Sequence, residues 1–309
     1  MSEFWKKLSK SLGISYVWWH WRWINFKKRW AAAFSTDTNI FRHLRSGQKI
    51  CRNCGALNAA GEHRCHVCGA RLPSATANFF YKVFGLVAPG VLPVTAALIT
   101  LIALDFLFQV LASSGRALLN PSAATLIRSG ALYSGLVAAG QWWRLLTAVF
   151  VHIGLIHLIF NVIALVIVSK FLEEELGAVR YLSIFLLTGL AGSGASCLLH
   201  IRVLSAGASG AIFGLIGFAI PYFGRQHTFR TREIQRIMIR WGIYAFVFGL
   251  LFGADNYAHA GGFAAGLLLG AVMEFRQDER RRRDPLWRAA AWIMALALVA
   301  SFVLLIRAT

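Results

Sequence analysis

Three sets of side chains have the types and spacing for chemistry. The first is Ser209 in the stretch SAGASGAIFG, residues 205–214, with Gly207 two positions before it and Gly210 directly after. The second is His259, together with His157 and Asn161 four residues apart. The third is two Cys-x-x-Cys pairs, Cys51/Cys54 and Cys65/Cys68, with ten residues between them. A serine hydroxyl is a weak nucleophile until a base takes its proton, and imidazole does this near neutral pH. Acyl transfer also needs donors aimed at the developing oxyanion. The Ser209 amide, the His157 ring and the Asn161 carboxamide are donors of the right kind, and Gly210 leaves room for a substrate backbone. The triplet alone does not choose its serine, because Gly194-Ala195-Ser196 repeats it. The Gly-x-Ser-x-Gly elbow of soluble hydrolases is not matched, since Ala211 stands where its second glycine belongs.

The elements that must position these groups are read from composition first. The chain has 309 residues, of which 57% are hydrophobic and only 15% charged. That is too apolar for a soluble globule and points to a polytopic membrane protein. The net charge of +19 raises the question of nucleic acid. The cations, however, fall in short clusters between apolar runs, which is a topology signal, so nucleic acid is not an expected partner. No secretory signal peptide is legible, because Lys6, Lys7, Lys10, Arg22, Lys27 and Lys28 break the first apolar residues. The N-terminal region is therefore expected in the cytoplasm.

Residues 1–48 hold six of the eleven tryptophans, interleaved with Lys and Arg. This segment is too charged to span a bilayer and reads as an interfacial segment lying on the lipid surface. Seven apolar runs follow, near 86–111, 154–171, 180–200, 205–223, 237–253, 257–274 and 287–306. The long connection 112–153 is expected to hold short helices in or on the membrane. With the N-terminus inside, Lys and Arg divide 27 to 5 between the cytoplasmic and outer sides. That bias fixes the expected orientation.

Orientation then sets depth. The second, fourth and sixth runs all start outside, so His157, Asn161, Ser209 and His259 share the outer leaflet. Polar groups at that depth are costly and are usually paired or functional. A histidine in a span more often only links helices, and so does an asparagine; the shared depth of four such groups argues for chemistry. Gly210, Gly214 and Gly217 on the fourth run and Ala258, Gly262, Gly266 and Gly270 on the sixth are small-residue stripes that let two backbones approach closely. Their crossing would bring His259 toward Ser209. Ser196 also nears the outer side, but Cys197 follows it rather than glycine. Gly189, Gly192 and Gly194 around it read as helix-packing positions, which makes Ser196 a built-in control. Cys197 reads as a buried small residue. Asp105, near the outer end of the first run, is expected to pair with Arg116 or Arg144 or to reach the interface.

Gly207-Ala208-Ser209-Gly210, His152, His157-x-x-x-Asn161, Trp143-Arg144 and Ala258-His259-x-x-Gly262-x-x-x-Gly266 together resemble the rhomboid intramembrane serine proteases. The similarity covers roughly residues 80–275 in motif order. It implies a Ser209–His259 dyad without a carboxylate and an oxyanion site of His157, Asn161 and the Ser209 amide. It also implies support from His152, and a loop carrying Trp143 and Arg144 that lies partly in the membrane beside the site. Phe213 stands where many members carry a tyrosine stacked on the histidine, so stacking is kept and a hydroxyl is lost. The run at 287–306 resembles the members with one helix added after a six-helix core.

The four cysteines suit thiolates around a tetrahedral, structural Zn²⁺ in a small zinc-ribbon-like module over 49–73. A cytoplasmic location argues against disulfides. His63 and His66 are near, but Cys51, Cys54, Cys65 and Cys68 already fill the site. The expected protein is thus an all-α polytopic membrane protein. It has the 1–48 segment, the 49–73 module, a six-helix core over 80–275, and a basic loop and seventh helix over 276–309. Its expected partners are transmembrane protein substrates, the lipid bilayer and a protein partner of the zinc module. No cofactor is expected for catalysis. The rhomboid resemblance places it in the plasma (bacterial inner) membrane with the site opening outward. A silent helix-binding scaffold is the alternative; a transporter is disfavoured because the spans hold no midplane charge path.

Overall fold

The computed structural model describes residues 49–50, 57–59, 61–69, 72, 92–200, 204–251, 253–274 and 277–308. Residues 1–48, expected to be interfacial, Cys51, Cys54 and the start of the first apolar run at 86 lie outside the described residues. The chain divides into two compact units, residues 1–93 and 94–309.

In the first unit β1 (Lys49–Ile50) pairs antiparallel with β2 (Leu57–Asn58). A tight turn over Cys65–Cys68 follows, closed by the Gly69 amide donating to the Cys65 carbonyl at 2.9 Å. Gly69 has φ +71°, a left-handed backbone that suits glycine. The Lys49 ammonium donates to the Glu62 carbonyl at 2.8 Å, tying the hairpin to the segment before this turn.

Among its described residues, the second unit has helices and one short ladder. Its helices are α1 (Pro93–Ala112), α2 (Ala123–Ser129), α3 (Ser134–Ala138), α4 (Arg144–Thr147), α5 (Gly154–Leu176), α6 (Ala178–Leu199), α7 (Ser209–Gly224), α8 (Phe229–Leu251), α9 (Asn256–Val272) and α10 (Gln277–Ala308). Strands β3 (Leu132–Tyr133) and β4 (Leu204–Ser205) pair antiparallel, Leu132 opposite Ser205. Among the described residues, five helices are long and apolar enough to cross a membrane: α1, α5, α6, α8 and the part of α10 from Asp284. The lipid-sized exposure of Leu104, Leu107, Leu111, Ile156, Phe160 and Leu250 fits that reading, because these side chains gain nothing by facing inward in hydrocarbon.

Several sequence boundaries change. The run placed at 205–223 opens with β4 and becomes helical only at Ser209, and α7 and α9 have just 16 and 17 residues. At about 1.5 Å per residue they fall short of the ~30 Å hydrocarbon core. They sit among the longer helices, and α7 is buried along nearly its whole length. Helix α8 begins at Phe229, eight residues before the expected 237. Its first turns carry Arg230, Arg232 and an Arg236–Glu233 pair at 2.7 Å, whose polarity hides the helix from a hydropathy scan. The expected all-α fold also gains its two short strand pairs. The connection after α1 does hold short helices: a 3₁₀ turn at Arg116–Leu118, then α2, α3 and α4.

The α7–α9 crossing follows the small-residue stripes. A methyl added at Gly262, Gly266 or Gly270 would run into the carbonyls of Gly210, Gly214 and Phe218 respectively. Gly214 differs in one respect, since its own missing side chain faces Thr188 on α6. Gly192 of α6 joins the crossing, for a Cβ there would lie 2.7 Å from the Ala258 carbonyl. Gly194 has open space around it and is no packing position.

At the far end from Ser209, the Glu173 carboxylate accepts from the Val94 amide at 2.8 Å and the Thr95 amide at 2.9 Å. It also accepts from the Thr95 hydroxyl at 2.6 Å. A residue 78 positions away thus caps the N-terminus of α1, where backbone N–H groups have no helical partner.

Candidate active site

Ser209 is the first residue of α7, and the loop before it is pinned at two points. The β3–β4 ladder holds Leu204 and Ser205. The Gly207 amide donates to the Ala148 carbonyl at 2.9 Å. Gly207 itself has φ +134°, and a Cβ there would lie 2.7 Å from His157 Cε1. Glycine is needed for both the backbone and the space.

His259 sits in the first turn of α9, 4% exposed. The Asp255 side chain caps this helix by accepting from the Ala258 amide at 3.1 Å. The ring is held on three sides. Asn256 Oδ1 lies 3.2 Å from Nδ1, the Phe213 ring stacks at 4.3 Å and 17°, and Gly249 of α8 presses close enough that a Cβ would lie 3.3 Å from Nδ1. An amide oxygen only accepts, so Nδ1 carries the proton and Nε2 is left with its lone pair. Nε2 faces Ser209 Oγ at 2.9 Å. Hydroxyl and base therefore meet in the tautomer that proton abstraction needs.

His157 takes the opposite tautomer. The Ile153 amide donates to its Nδ1 at 3.2 Å, so Nε2 bears the hydrogen, and that edge lies against Gly207. Asn161, one turn on, donates to the His157 carbonyl at 2.9 Å and does not line the cavity. His152 is fully buried behind His157, with ring centres 5.2 Å apart, and its Nδ1 is 2.9 Å from the Phe150 carbonyl. Burial pushes the His152 ring well below its ordinary value, to about 3; the neighbouring His157 adds to this, and the Phe150 carbonyl opposes it. His152 is thus a neutral brace.

Of these groups, His157, Gly207 and Ser209 border a cavity of about 630 Å³, together with Gly210. Its walls differ in character. Ile153, Ile156, Phe160 and Phe248 are apolar, whereas Ser193, His200, Ser205 and Asp255 are polar.

Trp143 and Arg144 do not reach the cavity. Arg144 is buried, donating to Gln141 Oε1 at 2.7 Å and to the carbonyls of Ile127 and Ala131 at 2.7 and 3.0 Å. It braces the turn that presents β3. Trp143 packs edge-on to Trp142 at 6.3 Å. Asp105 is not the partner of Arg116 or Arg144; it accepts from Gln109 at 2.7 Å, one turn along its own helix.

Ser196 is engaged elsewhere. Its hydroxyl donates to the Asp255 carboxylate, with His200 Nδ1 3.6 Å from the same carboxylate. Burial works to raise the Asp255 carboxyl. The hydrogen bonds from Ser196, Ser205 and the Ala258 amide, with the charge of His200, outweigh it and hold the group below the usual range. Asp255, Asn256, Ser205 and His200 had no assigned role in the sequence reading. The signals were present: Asp before a helix is an N-cap, and Asn-x-x-His places both side chains on one face.

Of the cysteines expected to bind metal, Cys65 and Cys68 share one turn, and the Val67 amide points at Cys65 Sγ, 3.4 Å away. Among the described residues no three metal-ligating side chains come together. Cys51 and Cys54 lie outside them.

Residues 139–275 match the Rhomboid domain family model. RHOMBOID-like protein 5 of Arabidopsis thaliana is 38% identical over 163 residues, 52% of this chain and 53% of that protein. Rhomboid protease GluP of Bacillus subtilis (strain 168) is 39% identical over 155 residues, 48% and 29% of the two chains. Inactive RHOMBOID-like protein 8 of Arabidopsis thaliana is 34% identical over 179 residues, 57% and 50%. The chain spans about half the length of the plant relatives it matches. The domain match and these relatives together support the rhomboid family for a chain whose pinned serine, oriented imidazole and glycine-lined crossing all fall within 139–275.

Proposed function

We propose that this protein is an intramembrane serine endopeptidase that cuts transmembrane or membrane-proximal segments of membrane proteins. The observation that carries the reading is the Ser209–His259 pair at 2.9 Å, with the proton fixed on the far nitrogen by Asn256. Ser209 Oγ attacks the scissile carbonyl while its proton passes to His259 Nε2. The ring then gives that proton to the leaving amine, and a water deprotonated by the same nitrogen releases the acyl group. The oxyanion lies at the start of α7, where the amides of the first turn have no helical acceptor, with the His157 Nε2–H beside it. Asn161 acts through the His157 backbone in this arrangement. A substrate helix must unwind locally, because a hydrogen-bonded helix hides its carbonyls.

A relative named a protease supports this reading, and one named inactive supports a second, a silent scaffold that binds membrane helices. One experiment separates them. Purified full-length protein is treated with a fluorophosphonate probe and offered a reporter transmembrane helix. Labelling that is lost in Ser209→Ala and kept in Ser196→Ala supports the protease; a wild type that neither labels nor cleaves supports the scaffold.

The cationic-loop bias supports an orientation with the N-terminus cytoplasmic and the site opening outward, and the rhomboid resemblance is what supports the plasma membrane. We further propose that Cys51, Cys54, Cys65 and Cys68 hold a structural Zn²⁺ and that the module recruits a protein partner. The Cys65–Cys68 turn fits half of such a site, since an amide aimed at Cys65 Sγ favours the thiolate. A closed four-thiolate site organises the chain and leaves no position for water. Metal content equal in wild type and Cys54→Ser would remove this part of the proposal.

A further inference from the structure

We infer that α10 is a positioning element for the site, acting through Phe302, and is not merely an added span. The inference rests on the protease reading for its consequence but not for its geometry.

Helix α10 has two faces. Trp292, Leu296, Val299 and Val303 form an exposed stripe, while Met294, Ser301 and Leu305 are buried. The buried face is fastened at both ends. Near its start, the Asp284 carboxylate accepts from Arg180 of α6 at 2.7 Å, and the Trp287 carbonyl accepts from Ser183 at 3.4 Å. Near its end it meets the segment between α1 and α5. Leu305 packs where a Gly130 side chain would stand, and Thr147 donates to the Gly130 carbonyl at 2.7 Å. One turn earlier, Phe302 packs edge-on against Phe150 at 5.8 Å and 64°.

Phe150 connects this packing to the chemistry. It is fully buried, and its carbonyl fixes the His152 ring. His152 lies behind His157, and His157 Nε2 is the side-chain donor placed at Gly207 beside Ser209. The 148–153 segment itself has no regular structure to hold it, since α4 ends at Thr147 and α5 begins at Gly154. Its rigidity is therefore borrowed from what packs on it, and Phe302 supplies an aromatic wall. Removing that ring leaves a cavity beside Phe150 into which the segment relaxes. The loss falls on oxyanion geometry, where small displacements are expensive. Ser209 and His259, carried on α7 and α9, keep their contact, while Gly207, bonded to the Ala148 carbonyl, follows the segment.

The test uses the full-length protein in four forms: wild type, Phe302→Ala, Phe302→Leu and Trp292→Ala. Reporter cleavage gives kcat and KM, fluorophosphonate labelling reports serine reactivity, and hydrogen–deuterium exchange reads residues 147–153. Phe302→Ala is expected to lower kcat about tenfold, below the ~10²-fold that a 1 Å misplacement can cost. KM stays within about twofold, as expected for an interaction made in the transition state. Exchange over 147–153 speeds up. Phe302→Leu restores most of both, and Trp292→Ala, on the exposed face, changes neither. A Phe302→Ala protein that matches wild type in kcat, or in protection of 147–153, overturns the inference. If wild type neither labels nor cleaves, the protease reading falls, and the exchange data alone decide whether Phe302 holds the segment.

Discussion

Ser196 and Ser209 begin as the same three letters, Gly-Ala-Ser, thirteen residues apart in an apolar stretch. Both are drawn toward the same short helix, α9, yet they meet different groups on it. Ser209 faces the lone-pair nitrogen of His259, and Ser196 donates to the carboxylate of Asp255. The second partner cannot activate a hydroxyl. Asp255 is held below the ordinary carboxylate range, so it is a weaker base than a free carboxylate and has no drive to take a serine proton. The lone pair of His259 Nε2, aimed at Ser209 Oγ, is placed to do so. Surroundings add to the difference. Ser209 opens a helix with unpaired amides and borders the cavity, while Ser196 lies inside α6 with a backbone already satisfied. Under the protease reading, the partner and the helix terminus would make Ser209 the nucleophile, and the local triplet contributes only room.

The comparison breaks first at Ser209 and His259. Replacing either with Ala is expected to lower turnover by about 10⁴-fold or more and, for Ser209→Ala, to abolish fluorophosphonate labelling. Labelling that survived in Ser209→Ala would end the assignment. Next is His157→Ala, which removes one oxyanion donor. Its expected cost is about 10²–10³-fold in kcat with little change in KM, and a change confined to KM would remove His157 from the oxyanion site. Asn256→Ala comes third. Freed of its acceptor, the His259 ring loses its fixed tautomer, and a fall of roughly tenfold to 10²-fold is expected from misorientation. Asn256→Asp, which keeps an acceptor, should retain more activity than the Ala form.

The smaller effects test the Ser196 side. Asp255 has its folded carboxyl value depressed, so its stabilisation is present above the unfolded value of ~3.9. It is lost as pH falls through the lower folded value. Melting temperature measured from pH 6 down to pH 3 should therefore fall less steeply in Asp255→Asn than in wild type, whose unfolded carboxylate takes up a proton before the folded one does. Equal slopes would mean that the clasp carries no charge-dependent stability. Ser196→Ala is expected to cost about 1.5–3 kcal/mol of stability, the scale for a hydrogen bond to a charged group. Its labelling rate should stay within about twofold of wild type.

The sequence made part of this legible for identifiable reasons. Ser209, His259 and His157 could be set at one depth because apolar runs and cationic loops fix topology without any knowledge of packing. The glycines at 262, 266 and 270 announced a close crossing through their four-residue spacing. Other features gave no periodic signal to read. Strands β3 and β4 are two residues each, too short for alternation, although they anchor the loop before Ser209. The start of α8 was hidden by arginines, and the role of Arg144 could not be found because its acceptors are the backbone carbonyls of Ile127 and Ala131. Asp105 and Gln109 were legible as an i, i+4 pair, and a distant arginine was the wrong expectation.

The fifty residues between Ser209 and His259 also have a meaning in time. At about 5–20 residues per second, a ribosome delivers the imidazole roughly 3–10 seconds after the hydroxyl. Until α9 is made and threads its glycines past α7, the chain carries a serine with no base, no stacked Phe213 partner and no Asp255 cap. On the protease reading, a stalled or truncated copy without His259 would carry no base for Ser209 and would cut nothing.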